Sequence, residues 1–431
     1  MVFKKDGYSS GLSSAYLKAR SPLKTVLTHR GSGSQSMRTG ADPVCKADLA
    51  DGPTSAYWAN RTSRRWCWSS KDSAASVRVT KNQQGWDPQG VGSTFEADGG
   101  DGAIQGQRAA FVAWAREPGT SSDPGHCGSK NAVHVSFVNL NGSPSKPRYV
   151  NVMLVRPGDA GTGNFQASGG HGGGVALYGN YLYVTNTLKG IDVYDLHKIV
   201  ATTSTANTVG QAGKTITGCS YPYVLPRQAT YSYSYHGAGG TSCPRSDNRT
   251  SSWCFSSLSL YRPAGGGVDL VIGEHLTTTQ AGHTSTPARI ALFSLEAGTV
   301  AGLGKHTVTD RTQFTDGSSS ASSSPYGFGA QGTLITAGPS GNPQFFFNGS
   351  CGPDTRGHNW LVTALNDTHP IVTCGGELAK DNWAYRPEGL AYSAVDGYYP
   401  ESGGVRTDTE GAHPILVDVP YDSYRDLASS S

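Results

Sequence analysis

Helix-building residues are scarce in this chain. Methionine occurs three times in 431 residues and charged residues make up only 16 %. That shortage argues against helical bundles and coiled coils. No apolar run approaches the roughly 20 residues that a membrane-crossing helix requires. A formal net charge of +3, with no Lys/Arg stripe beyond the N-terminal segment, speaks against a nucleic-acid footprint. A G-x-S-x-G elbow, an H-E-x-x-H helix, a P-loop and a dinucleotide fingerprint are all missing. The usual nucleophilic, zinc and nucleotide-dependent enzymes therefore have no foothold. None of the eight cysteines stands in a C-x-x-C pair, which argues against zinc knuckles and thioredoxin-like sites.

What the chain does have is Gly (57) and Tyr (21), with Ser and Thr dense throughout. This balance suits short strands joined by many turns. A phrase recurs where strands begin: a polar or small residue, then Gly, then an apolar run. It reads Pro88-Gln89-Gly90-Val91, Gly172-Gly173-Gly174-Val175, Ala330-Gln331-Gly332-Thr333-Leu334 and Pro387-Glu388-Gly389-Leu390. A degenerate repeat that restarts strands marks a radial or stacked β architecture. The clearest block runs from Val175 to Leu196. Val175–Tyr178 and Tyr181–Thr185 alternate about a two-residue turn at Gly179-Asn180, and Ile191–Asp195 follows a second turn. Three such strands are most of a propeller blade. Strand signals before it lie at 108–115, 132–139 and 148–155. A third unit is read from Tyr223 to Leu295, a fourth from near Tyr326 to Ala364, and a fifth from near Tyr385 to Val419. The best short helix is Asp195–Ala201. The expected fold is an all-β, disulfide-stapled β-propeller of five blades, with six or seven as alternatives. It spans residues 45–431 behind an irregular basic segment at 1–44.

An even number of cysteines favours disulfides, and disulfides place a protein outside a reducing cytosol. Pairing sequence neighbours would join Cys45 to Cys67, Cys243 to Cys254 and Cys351 to Cys374, leaving Cys127 with Cys219; spacing alone does not fix this map. Residues 1–40 carry seven Lys and Arg against Asp6 and lack the apolar core of a signal peptide. Rich in Gly, Ser and charge, the segment is expected to be a flexible or partner-docking arm.

In a propeller the inner strands of all blades begin near one mouth of the central channel. The recurring phrase thus sets Gln89, Gly173, Gln331 and Glu388 at one level, with Asp87, His171 and Arg386 just before them. Arg227 and Gln228 are the weaker candidates from the third unit. Such a ring could hold a sugar, or perform acid/base chemistry between Glu388 and His171; equally, its polar groups could satisfy one another. Trp360 and Trp383, read as loop aromatics, are candidate stacking surfaces for sugar C–H faces. Tyr231, Tyr233 and Tyr235 share one face and read as core. No second His or acid stands at metal spacing from His171. The acidic loop Glu96–Gly102 has a composition that calcium accepts but lacks EF-hand spacing, so it reads as a solvated turn. No cofactor is expected.

The Tyr178–Leu196 block resembles the LVIVD-type propeller repeat. The wider order of Trp86–Val91, Val135–Val138, Gly172–Leu196, Val271–Glu274 and Pro387–Leu390 is similar to a group of secreted actinobacterial propeller proteins. That resemblance implies the fold and an extracellular life, and supplies no reaction. The functional expectation is a lectin-like recognition protein that binds glycans or a partner at a cell surface. The competing classes are a polysaccharide lyase or glycosidase using Glu388 and His171, and a filament or matrix protein linked through residues 1–44.

Overall fold

A computed structural model describes residues 3–6, 20–39, 64–74, 85–97, 100–117, 127, 132–142, 146–158, 164–187, 189–233, 255–263, 266–274, 290–295, 330–337, 343–350, 357–364, 367–370, 389, 391, 398–407 and 411–420. Within them the chain is all-β, a β-propeller of five blades. Blade 1 is a four-stranded antiparallel meander, Gly85–Ser93, Ala109–Glu117, Val133–Asn139 and Arg148–Pro157. Blade 2 holds Val175–Tyr178, Tyr181–Asn186 and Gly190–Asp195, with Tyr223–Tyr233 as its outer strand. Blade 3 shows Phe255–Tyr261, Val268–Glu274 and Ile290–Leu295. Blade 4 is Ala330–Ala337, Pro343–Ser350, Gly357–Ala364 and Asp367–Pro370. Blade 5 pairs Tyr398–Thr407 with Gly411–Pro420, then adds Arg64–Cys67 and Arg38–Thr39 from the other end of the chain.

The expected three-strand block is present. Val175 faces Val184 and Tyr178 faces Tyr181 across the turn, where Gly179 adopts φ +54. The expected helical stretch after Asp195 is a single 3-10 turn, Leu196–Lys198, in which the His197 N–H donates to the Asp195 carboxylate at 2.9 Å. The third unit differs from its expectation. Tyr223–Tyr233 closes the outer edge of blade 2, and its first residues also run parallel to Val152–Val155 of blade 1. An 11-residue strand is long enough to serve both.

Blades 1 and 2 bury both faces, because alternate residues of a strand point to opposite neighbours. In blade 1, Phe111, Val135 and Val152 pack against Val175, Leu177 and Leu182 of blade 2. On the opposite face, Val112 and Val138 meet Trp66 and Leu416 of blade 5. Blades 2 and 3 join through Tyr183 and Val193 against Leu258, Leu270 and Phe293.

The described part of the basic N-terminal segment is not a free arm. Helix Leu23–Leu27 buries Leu23, Val26 and Leu27 in the seam between blades 1 and 2. Ser34–Ser36 pairs with the outer strand of blade 1, Arg38–Thr39 completes blade 5, and Phe3–Asp6 pairs with the outer strand of blade 2. Sparse apolar residues (Leu23, Val26, Leu27, Met37) suffice because each enters a core that other strands have already formed.

Gly90, Gly174 and Gly389 share one physical cause, which is that the inner strands lie in backbone contact. A Cβ on Gly174 would stand 2.2 Å from Leu258 N, one on Gly90 2.6 Å from the Gly174 carbonyl carbon, and one on Gly389 2.2 Å from Val91 N. Hydrogen bonds tie the same seam: Gly90 N donates to Gly172 O at 3.0 Å, and Gly389 N to Gln89 O at 3.1 Å. Blades 3 and 4 approach through Ser257 and Thr333, whose hydroxyls lie 2.9 Å apart.

Candidate functional site: a cleft on the face of blade 1

The face that blade 1 turns to blade 5 changes character along its length. In Ala109–Glu117 it presents Ala110, Val112, Trp114 and Arg116; in Val133–Asn139 it presents Val138, Ser136 and His134. In the outer strand it presents Tyr149, Asn151 and Met153. Registers Trp114↔His134 and Ser136↔Asn151 align these residues across the sheet. One end is apolar and packed on Trp66, Trp68 and Leu416. At the other end this face is roofed by residues 32–35, the short helix Ser70–Ala74 and residues 205–221, which enclose a cleft of about 770 Å³ lined by Trp86, Arg116, His134, Asn151, Lys71, Asp72 and Tyr221, among others.

A chain of hydrogen bonds floors the cleft. Trp114 Nε1 donates to Ser136 Oγ at 2.9 Å, and that hydroxyl donates to Asn151 Oδ1 at 2.5 Å. Asn151 Nδ2 in turn donates to Asp72 Oδ2 at 3.3 Å, and the Tyr149 hydroxyl donates to the same oxygen at 2.5 Å. Burial pushes the Asp72 carboxyl above its ordinary value, opposed by the Tyr149 and Asn151 hydrogen bonds and the Lys71 charge. Burial and the neighbouring Asp72 raise Tyr149 well above 10. Burial alone drives His134 well below 6.5, so its imidazole is neutral. Its Nδ1 lies 3.2 Å from the Tyr221 hydroxyl.

His134 is clamped by aromatic rings. Trp86 meets it edge-on at 4.2 Å and Trp114 stacks at 5.7 Å with planes 12° apart. Trp86 itself stays half-buried, with part of its surface open to the cleft. The far wall is closed by the Cys127–Cys219 disulfide. Four described non-glycine residues have positive φ, and three of them, Cys127, Cys219 and Ser220, belong to this wall. Left-handed backbone costs about 1–2 kcal/mol per residue and concentrates where a site demands it.

The channel-mouth candidates are placed as follows. Gln89 is buried at a bulge in the inner strand of blade 1, its Nε2 donating to Asp87 Oδ2 at 3.0 Å. His171 is exposed, next to Gly172, whose carbonyl receives Gly90 N. Backbone hydrogen bonds thus join Gly90 to Gly172 and Gln89 to Gly389. Gln331 lies on the inner strand of blade 4. Arg227 departs from its expected place: it sits on the outer strand of blade 2, ion-paired to buried Asp192 at 3.0 Å. Trp360 also departs from expectation, since it is in the third strand of blade 4, opposite Phe347 and Pro370, and not in a loop. Trp383, Arg386 and Glu388 lie outside the described residues. So do Cys45, Cys243, Cys254, Cys351 and Cys374; Cys67 is disulfide-bonded.

The described residues at the end of the 96–102 stretch are tied locally. Asp101 Oδ1 accepts from Ala103 N, and Gly102 O from Thr94 Oγ1. Among the described residues, no three of His, Cys, Asp and Glu gather to hold a metal, and no helix is long and apolar enough to cross a membrane.

No protein-family model and no curated protein matches the chain. Solved structures with a similar strand arrangement include an endo-arabinase from Bacteroides thetaiotaomicron (9 % identity, 72 % of this chain, 89 % of that one, TM-score 0.35). The Trypanosoma rangeli sialidase is 10 % identical over 80 % of this chain and 56 % of its own, with TM-score 0.36. The Kuenenia stuttgartiensis hydrazine synthase is 10 % identical over 80 % and 79 %, with TM-score 0.30. Likenesses this distant carry no argument about activity.

Proposed function

We propose that the protein is an extracellular recognition protein that binds a glycan in the cleft on the polar end of the blade 1 face. One observation carries the reading: a half-buried Trp86 ring shares the cleft with hydrogen-bonding groups, Asn151, Asp72 and Tyr221. Sugars present apolar C–H faces to an aromatic ring and hydroxyls to such groups, and few other ligands need both. Disulfides at Cys127, Cys219 and Cys67 support life in an oxidising compartment. Recognition is favoured over hydrolysis here because most glycosidases need two carboxyl groups, and Asp72 is the one carboxylic acid among the described lining residues.

The test is a microbial and plant glycan array probed with the oxidised protein, followed by titration of the best hit. Trp86→Ala should weaken that hit about tenfold or more, as loss of a central aromatic anchor does. A silent array, or a hit indifferent to Trp86, would end the proposal.

A further inference from the structure

The cleft wall contains a covalent tie. Cys127, which lies in the sequence between the second and third strands of blade 1, is bonded to Cys219, 92 residues on. Cys219 directly follows the hairpin Val209–Ala212 and Thr215–Gly218. Both cysteines are buried, yet both line the cleft, which is where a small thiol can meet them. The backbone around the bond is unrelaxed: Cys127, Cys219 and Ser220 hold φ values of +69, +59 and +63, a region that disfavours residues with a Cβ. Such conformations persist only where the surroundings impose them. Here the disulfide acts together with a tight set of backbone bonds. Cys219 N donates to Thr208 O at 2.7 Å, Ser220 N to Ala206 O at 3.1 Å and Tyr221 N to Gly218 O at 3.0 Å. Asn207 Oδ1 stands 3.3 Å from Cys219 Sγ, where it can accept from a thiol at that position.

We propose that Cys127–Cys219 is a redox modification site, a disulfide opened by a dithiol that enters the cleft, and that its opening loosens the wall formed by residues 205–221. One thiolate of the dithiol attacks a sulfur of the bond, forming a mixed disulfide and releasing the other cysteine as a thiolate. The second thiol of the dithiol then displaces the remaining cysteine and closes its own disulfide. The dithiol loses two electrons and two protons, and Cys127 and Cys219 gain one of each apiece. Opening the bond lets three residues leave the left-handed region and removes a closure across 92 residues. The change falls on the wall, because the blade strands keep their own ladders. The site shares its cleft with the glycan reading but does not depend on what the cleft binds.

The test treats the oxidised, full-length protein with limiting dithiothreitol, then alkylates the freed thiols and locates them by mass spectrometry over time. Cys127 and Cys219 should be labelled about tenfold or more sooner than Cys67, whose bonded side chain is buried in blade 5 and does not line the cleft. At that stage amide hydrogen exchange should be about tenfold faster across residues 205–221 and unchanged in the blade 2 strand Tyr181–Asn186. The double variant Cys127→Ser, Cys219→Ser should show the same faster exchange with no reductant present. Should that variant fail to fold, the labelling and exchange of the parent protein still decide. Labelling of Cys67 before or together with Cys127 and Cys219 overturns the proposal, and so does exchange that reduction leaves unchanged. Equal acceleration in Tyr181–Asn186 also overturns it, because the bond would then be a staple of the whole fold and not of the wall.

Discussion

The centre of the propeller and the cleft at its rim are built on opposite rules. Along the inner seam the chain gives up side chains: Gly90, Gly174 and Gly389 allow backbone to touch backbone between blades. At the rim the chain keeps large and polar side chains, including Trp86, Trp114, His134, Asn151 and Arg116, and they line an open cleft. Both regions lie on the faces of blade 1 strands, yet one is closed by removing atoms and the other is lined by hydrogen-bonded ones. A repeated motif can therefore mark a point of closure, while the ligand-sized space lies where the repeat is broken by unequal side chains.

The sharpest way to break this contrast is at the seam. Gly174→Val places new atoms where a Cβ alone would sit 2.2 Å from Leu258 N and 2.4 Å from the Ser257 carbonyl carbon. Backbone cannot yield as a flexible side chain does, so the substitution should cost about 3 kcal/mol, read as a lowered urea midpoint. Gly142→Ala is its control, because nothing lies within 4 Å of that Cβ. Equal midpoints for the two variants would show that the blades do not meet there.

At the rim the expected costs are smaller and electrostatic. Tyr149→Phe removes the donor 2.5 Å from Asp72 Oδ2 and should destabilise by about 2 kcal/mol, the range for a hydrogen bond to a charged group. An unchanged unfolding free energy would remove Tyr149 from the support of the floor. His134 predicts a pH dependence. Its folded pKa lies well below the 6.5 of the unfolded chain, so beneath 6.5 the unfolded state binds the extra proton. Stability should be fully present above about pH 6.5 and fall by about 1.4 kcal/mol per pH unit below it. Asp72, shifted upward, works in the opposite direction, losing stability as pH rises above 3.8. Denaturation curves for His134→Phe should show a flatter slope between pH 6.5 and 5 than the parent; identical slopes would mean that the imidazole is solvated.

Much of this fold can be read from the chain, and most of the cleft cannot. Strands such as Tyr181–Asn186 and Phe255–Tyr261 follow from local alternation, and the glycine phrase located the inner strands. Closure of blade 5 by Arg64–Cys67 was hidden, because its partners Ile415–Asp418 are some 350 residues away and neither segment signals the other. The same distance hid the role of residues 20–39, whose few apolar side chains look unfit to fold until the cores they enter are present. The rim left one usable signal. His134, Ser136, Asn151 and Arg116 interrupt otherwise apolar faces at the strand period, and polar groups so placed need partners. Their partner Asp72 lies in a separate short helix, Ser70–Ala74, and only tertiary structure joins them.

The smallest effect separates two reasons for glycine within one hairpin. Gly174 and Gly179 stand five residues apart, one in the seam and one at the tip of the turn. At Gly179 nothing lies within 4 Å of the added Cβ, and the sole obstacle is φ +54. Gly179→Ala should therefore cost only about 1 kcal/mol, all of it backbone strain. Gly179→Asn should cost less, because Asn tolerates the left-handed region better than other residues. At Gly174 no such ranking should hold: cost there follows side-chain volume and ignores left-handed tolerance. Measuring Ala and Asn at both positions gives the crossing pattern that this distinction requires. If Asn proved the milder replacement at Gly174 as well, conformation and not contact would be the reason for its glycine, and the closed seam would lose its main support.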